Sequence, residues 1–243
     1  MNKSLVYIMA LIFGFTASLK ADDVPTTVLE LFTSQGCVSC VSADAALKSQ
    51  RDKPGMLVLS WPVDYLDRFG WADTFADPAN TWRQKAYNKR LGKGGMVYTP
   101  EMIIDGRLEC VGNNKEMIRD EIELARAIEY LRITPVITDT AGVYRVSLPE
   151  TKIKAPIFVR AVWYLSDSTI EVTGGENEGK WLHLTNIVRH SKVIGEWDGS
   201  AQSFDISSGG DELPMVDGIA ILLHEDYGHG ALVGSASAPF AGL

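Results

Sequence analysis

Thr27-Val28-Leu29-Glu30-Leu31-Phe32-Thr33-Ser34-Gln35-Gly36-Cys37-Val38-Ser39-Cys40 is the stretch from which the rest of the chain is read. Val28 to Phe32 has the composition of a strand, and a short polar turn with Gly36 follows it. Two cysteines three apart come next, and then Val41-Ser42-Ala43-Asp44-Ala45-Ala46-Leu47, whose apolar spacing predicts a helix over about 38–50. Cysteines placed where a strand turns into a helix have the context of a redox motif. The first helical turn offers unpaired N–H groups and a positive dipole end, which stabilise a thiolate at Cys37. Cys40, one turn on, is placed to close or open a disulfide with it.

The first 21 residues read as a targeting segment. Lys3 precedes an apolar run from Leu5 to Ala17, and Ala21 before Asp22-Asp23 is a plausible cleavage point, although Leu19 fills the other recognition position. The run is short for a membrane span, and no later stretch approaches spanning length. The expectation is an exported, soluble chain, periplasmic or secreted, without a membrane span in its mature form. Removing residues 1–21 takes away Lys3 and Lys20 and leaves 21 basic against 31 acidic residues, which argues against nucleic acid as a partner. The remaining length suits two domains. A close cysteine pair plus the distant Cys110 is not a stapled scaffold. Cys110 reads as a buried apolar residue on a strand, with a third redox thiol as the alternative.

Residues 24–131 alternate strands and helices. Met56 to Trp61 is a buried strand, Asp77-Pro78 opens a helix that runs to Leu91 before Gly92, and Glu101 to Ile104 returns through Asp105-Gly106 to Arg107–Val111. A helix from about Lys115 to Tyr130 closes the unit. With the cysteines at the first helix, this order resembles the thioredoxin fold. That resemblance implies a cis-proline at Thr99-Pro100, facing the cysteine pair and leaving backbone free to hold an extended substrate. An ordinary trans proline at an edge strand is the plainer alternative. The thioredoxin and periplasmic disulfide-oxidase families also carry a buried acid near the position of Glu30. The resemblance gives Glu30 a raised pKa and proton transfer to and from Cys40 through water, against a carboxylate that merely bonds backbone at a strand end.

The resemblance narrows further. Leu29 to Cys37 with Cys40, Val63-Asp64-Tyr65, Gly70-Trp71, Arg83-Gln84-Lys85-Ala86-Tyr87, Tyr98-Thr99-Pro100, Asp105-Gly106-Arg107 and Gly174-Gly175-Glu176-Asn177 together resemble an uncharacterised family of exported bacterial proteins. These join a thioredoxin-like domain to a β-rich C-terminal domain of unknown function. A histidine usually stands in that pattern where this chain has Pro62, and Cys110 is not usual.

After Thr134-Pro135 the pattern becomes short alternating runs: 142–148, 156–165, 169–173, 181–190, 203–207, 216–224 and 231–236. Ile157, Val159, Ala161, Trp163 and Leu165 keep a period of two. Turn clusters, Ser208-Gly209-Gly210 among them, separate the runs, and the whole reads as an antiparallel sandwich. The expected architecture is therefore an α/β thioredoxin-like domain (22–132) followed by an all-β sandwich-like domain (133–243). Gly174 to Lys180 reads as a plain exposed loop, with a cover over the cysteines as the alternative. His224-Glu225-Asp226-Tyr227-Gly228-His229 reads as a polar turn whose spacing fits no standard metal site. No cofactor or metal is assigned.

Three functions remain in play. The first is a thiol–disulfide oxidoreductase acting on protein thiols or disulfides, with Cys37 attacking, Cys40 resolving, Thr99 and Pro100 holding substrate and Glu30 moving protons. The second is a copper-handling protein that binds Cu(I) through the two cysteines. The third is a redox-silent binding module with a static disulfide.

Overall fold

The computed structural model describes residues 26–140, 142–207 and 215–240, so the targeting segment expected at 1–21 and the turn at 208–210 lie outside the described residues. Strand β1 (Thr27–Thr33) is buried along its whole length. It runs parallel to β2 (Met56–Pro62) on one side and antiparallel to β3 (Glu101–Ile104) on the other. β4 (Leu108–Val111) pairs its Leu108 with Ile104, so the connection from β3 holds three residues, Asp105-Gly106-Arg107, rather than the two expected, with Asp105 and Gly106 in the left-handed region (φ 48° and 60°).

Alternation along β1 sorts its side chains to two faces. Leu29 and Leu31 join Ala43 and Leu47 of α1 (Cys40–Arg51) and Ile118 and Ile122 of α3 (Lys115–Ala127). Val28 and Phe32 join Trp61 of β2 and Tyr87 of α2 (Pro78–Arg90) on the opposite face. Asp77 caps α2 by accepting the Ala79 N–H, with Pro78 in the first helical position, where its missing donor costs nothing. α3 stops short of Tyr130 because Ile128 leaves the helical region (ψ 121°).

The second half contributes β5 (Val136–Thr140), β6 (Val143–Leu148), β7 (Ile157–Glu171), β8 (Trp181–Trp197), β9 (Gln202–Ser207), β10 (Gly218–His224) and β11 (Leu232–Pro239). β5 appears where no strand is expected, and the runs 156–165 and 169–173 fuse into one long strand. The polar Asp167-Ser168-Thr169 does not interrupt it, because those residues stay paired with Thr185, Leu184 and His183 of β8. Ladder bonds are made by backbone, which every residue there supplies.

The main sheet has eight strands in the order β11-β10-β7-β8-β2-β1-β3-β4, mostly antiparallel, so strands from both halves of the chain share it. The halves meet where β2 and β8 pair in parallel at Ser60 and Ile187. Beside that pair Asn186 (φ 47°) donates from Nδ2 to the Val58 carbonyl at 2.8 Å. A second, three-stranded sheet, β5-β6-β9, shares a core with it: Tyr144 and Val146 pack with Val159, Ala161, Trp163 and Ile221. Together with three helices this makes a mixed α/β architecture.

Of the period-two set, Leu165 departs. The β7–β8 register shifts between Trp163 and Tyr164, and Leu165 joins a separate cluster. There Ile170, Val172, Leu182 and Leu184 from the far end of the β7–β8 hairpin pack with Val41, Trp71 and Phe75. This cluster lays the connection between β7 and β8 against the cysteine turn.

Candidate functional site

Cys37 and Cys40 form a disulfide with their Cα atoms 5.2 Å apart. The helix begins at Cys40 rather than at 38, so Cys37 to Ser39 make the turn that leads into it. Cys40 is fully buried and Cys37 is 8% exposed, whereas Val38 between them is 49% exposed. The Cys37 N–H donates to the Ser34 carbonyl at 3.1 Å, and the Cys40 N–H to the Cys37 carbonyl at 3.2 Å. Ser39 Oγ lies 3.4 Å from Cys37 Sγ, close enough to donate to a thiolate.

Asp44 stands one helical turn beyond Cys40, among the buried residues of α1. Burial pushes its carboxyl up to about 8; the Thr33 hydroxyl opposes this and the nearby Asp73 charge adds to it. Asp73 is raised by burial as well, against backbone N–H groups of Gln35 and Phe75 that favour its anion. Gln35 ties the turn to that carboxylate: its N–H donates to Asp73 Oδ2 at 2.8 Å, and its Oε1 accepts from Trp71 Nε1 at 2.9 Å.

The β7–β8 connection is not a plain exposed loop. Its helical turn (Gly175–Asn177) docks on the cysteine turn, with Asn177 fully buried. Asn177 Nδ2 donates to the carbonyls of Gln35 (2.8 Å) and Cys37 (3.0 Å), and Lys180 Nζ donates to its Oδ1 at 2.8 Å. Gly174 is needed for the approach, since a Cβ there would stand 2.9 Å from the Gly70 carbonyl oxygen.

Thr99-Pro100 is a cis peptide bond. Glu101 pairs with Phe32, so the two residues sit at the end of the sheet from which β1 leaves for Cys37. Pro62 ends β2 opposite Thr33 at that same end.

Glu30 requires a correction. It lies on the face of β1 that carries Val28 and Phe32, opposite the face that α1 covers. Its carboxylate is held by Arg83, Nε to Oε2 at 2.8 Å and Nη2 to Oε1 at 3.0 Å, and also by the Tyr87 hydroxyl. A carboxylate bound bidentately by a guanidinium is not a proton carrier for Cys40; period-two alternation sends odd and even residues of a strand to opposite sides. The buried carboxylate on the α1 side is Asp44, four residues past Cys40 on the helix itself. That spacing is the sequence signal that marks it. Asn177 and Asp73 carry no comparable local signal, because they are joined to the turn across the fold.

Cys110 is buried on β4, and burial pushes its thiol up to about 12. His224 is buried in β10, with Nδ1 3.0 Å from the Gly230 carbonyl and Nε2 3.0 Å from Arg83 Nη2. Burial and then the Arg83 charge hold it well below the usual histidine range. Among the described residues no group of three His, Cys, Asp or Glu side chains is gathered as a metal site would need. No helix among them is long and apolar enough to cross a membrane.

A mixed sheet with a disulfide between cysteines three apart in the turn that opens a helix, braced by a distant hairpin, defines the class of site. The chain belongs to a family described as a protein of unknown function (DUF1223), whose model matches residues 28–224. It is also similar to a solved crystal structure of an Agrobacterium tumefaciens protein determined by a structural-genomics consortium. The two are 28% identical with a TM-score of 0.77, over 89% of this chain and 95% of that one. No curated protein matches the chain.

Proposed function

We propose that the protein is an exported thiol–disulfide oxidoreductase of thioredoxin-like architecture, acting on protein thiols or disulfides. The observation that carries this reading is the Cys37–Cys40 disulfide at the start of α1 with the protonatable Asp44 one turn beyond it. The β1–α1–β2–α2–β3–β4–α3 order, with β1 parallel to β2 and antiparallel to β3, supports the architecture. Thr99 and Pro100 lie at the same end of the sheet, where an extended substrate backbone would be held.

A substrate thiolate attacks Cys37 Sγ and the Sγ–Sγ bond breaks. Cys40 leaves as a thiolate and takes a proton from Asp44, which is largely protonated at neutral pH. A second substrate thiolate then attacks the substrate sulfur of the mixed disulfide and releases Cys37 as a thiolate. The substrate leaves oxidised to a disulfide and the protein holds the dithiol; run backwards, the same steps reduce a substrate disulfide.

Trapping tests the reading. A Cys40→Ser variant, attacking through its Cys37 thiolate, should accumulate a mixed disulfide with a disulfide substrate, whose other sulfur leaves as a thiolate, and Cys37→Ser should form none through Cys40. Equal trapping by both variants, or by neither, contradicts it. A second reading, a static disulfide in a binding module, is favoured by the low exposure of Cys37, and it predicts trapping by neither.

A further inference from the structure

We propose that Asn177 is a positioning residue for the Cys37–Cys40 centre, and that with Lys180 it sets how readily the disulfide is reduced. This deepens the oxidoreductase reading and rests on it. Asn177 comes from a hairpin 140 residues away in sequence, yet its amide meets the peptide group that follows Cys37. The peptide before Cys37 is fixed by its N–H on the Ser34 carbonyl. The peptide after it is fixed by a carbonyl that accepts from both Asn177 Nδ2 and the Cys40 N–H. With both neighbouring peptide planes pinned, both backbone dihedrals of Cys37 are set, and with them the direction from which Sγ meets the helix start.

The orientation of the amide is itself determined. Lys180 Nζ has only donors, so the atom 2.8 Å from it is the Asn177 oxygen, and the NH2 group faces the turn. The ammonium polarises that amide from its oxygen end and stands one side-chain amide removed from the Cys37 carbonyl. A disulfide is uncharged, whereas the reduced pair carries a thiolate, so positive charge nearby favours the reduced form. Removing either side chain should therefore make the disulfide harder to reduce. Neither residue touches the reacting sulfurs in the structure; both act through the backbone and the local field.

The test is equilibration of the full chain, in a Cys110→Ser background, with reduced and oxidised glutathione: protein disulfide plus two glutathione thiols giving protein dithiol plus glutathione disulfide. Asn177→Ala should lower the equilibrium constant for reduction by about tenfold, equal to about 30 mV. Lys180→Met should lower it by about threefold, and Lys180→Arg should restore it. Lys180 is exposed, so its variants carry the test if Asn177→Ala fails to fold. A purely structural role would lower the melting temperature and leave the equilibrium constants equal to wild type, which overturns the proposal while the oxidoreductase reading stands. A wild-type disulfide that glutathione does not reduce overturns both.

Discussion

Glu30 and Arg83 form a bidentate ion pair, 2.8 and 3.0 Å between partner atoms, in which the carboxylate is fully buried and the guanidinium 2% exposed. The pair fastens β1 to α2 on the side of the sheet away from the cysteine helix, and Arg83 Nη1 reaches on to the Gly228 carbonyl at 3.1 Å. It thus joins the two halves of the chain beneath the site without entering its chemistry. Arg83→Met, which strands the Glu30 carboxylate, should cost about 3–5 kcal/mol by chemical denaturation. Glu30→Gln should leave the pH profile of thiol exchange where it is. A profile displaced by Glu30→Gln would return the proton-transfer role to that residue.

Asp44 should show itself twice. With its carboxyl raised to about 8, the folded state binds a proton that the unfolded chain releases near the ordinary aspartate value of 3.8. Its contribution to stability is therefore complete below that value and is lost as pH rises through 8. Across that window Asp44→Asn should flatten the fall of stability with pH by about 1.4 kcal/mol per unit. It should also slow disulfide exchange at neutral pH by about a hundredfold, as loss of a positioned acid does. Unchanged rates and an unchanged stability slope would show that Asp44 titrates in the ordinary carboxylate range.

Ser39 Oγ is placed to donate to the Cys37 thiolate once the disulfide opens. Ser39→Ala should raise the Cys37 thiol pKa by about one unit, the value of one hydrogen bond to a charged acceptor. The thiolate absorbance of the reduced protein as a function of pH measures this directly. No displacement would mean that the hydroxyl turns away after reduction.

Cys110, with its thiol pushed up to about 12 and 2% of its surface exposed, should resist alkylation in the folded protein at neutral pH. Denaturant should make it react at the rate of a free cysteine. Rapid labelling of the native chain would make it a third accessible thiol.

The cysteine strand, its turn and its helix were legible because each is a local pattern: an apolar run, a turn residue, and apolar spacing over one helical face. The α2 start was legible for the same reason, in Asp77-Pro78. What escaped local reading was long-range. The polar Asp167-Ser168-Thr169 looks like a break, but pairing with β8 carries the strand through it. Gly174 to Lys180 has the composition of a surface loop. Only the packing of Val172, Leu182 and Leu184 with Val41 and Trp71 brings its Asn177 onto Cys37. Glu30 is legible as a buried acid, but the choice between a proton carrier and a structural carboxylate is not, because its partner Arg83 lies 53 residues along the chain on another element.

The reduction potential of the Cys37–Cys40 pair tests the central claim most directly. It would be measured by thiol trapping in graded glutathione or dithiothreitol buffers, in a Cys110→Ser background. The oxidoreductase account predicts a value between about −120 and −270 mV, the range of working exchange catalysts. A value below about −300 mV would mark a structural disulfide and contradict it.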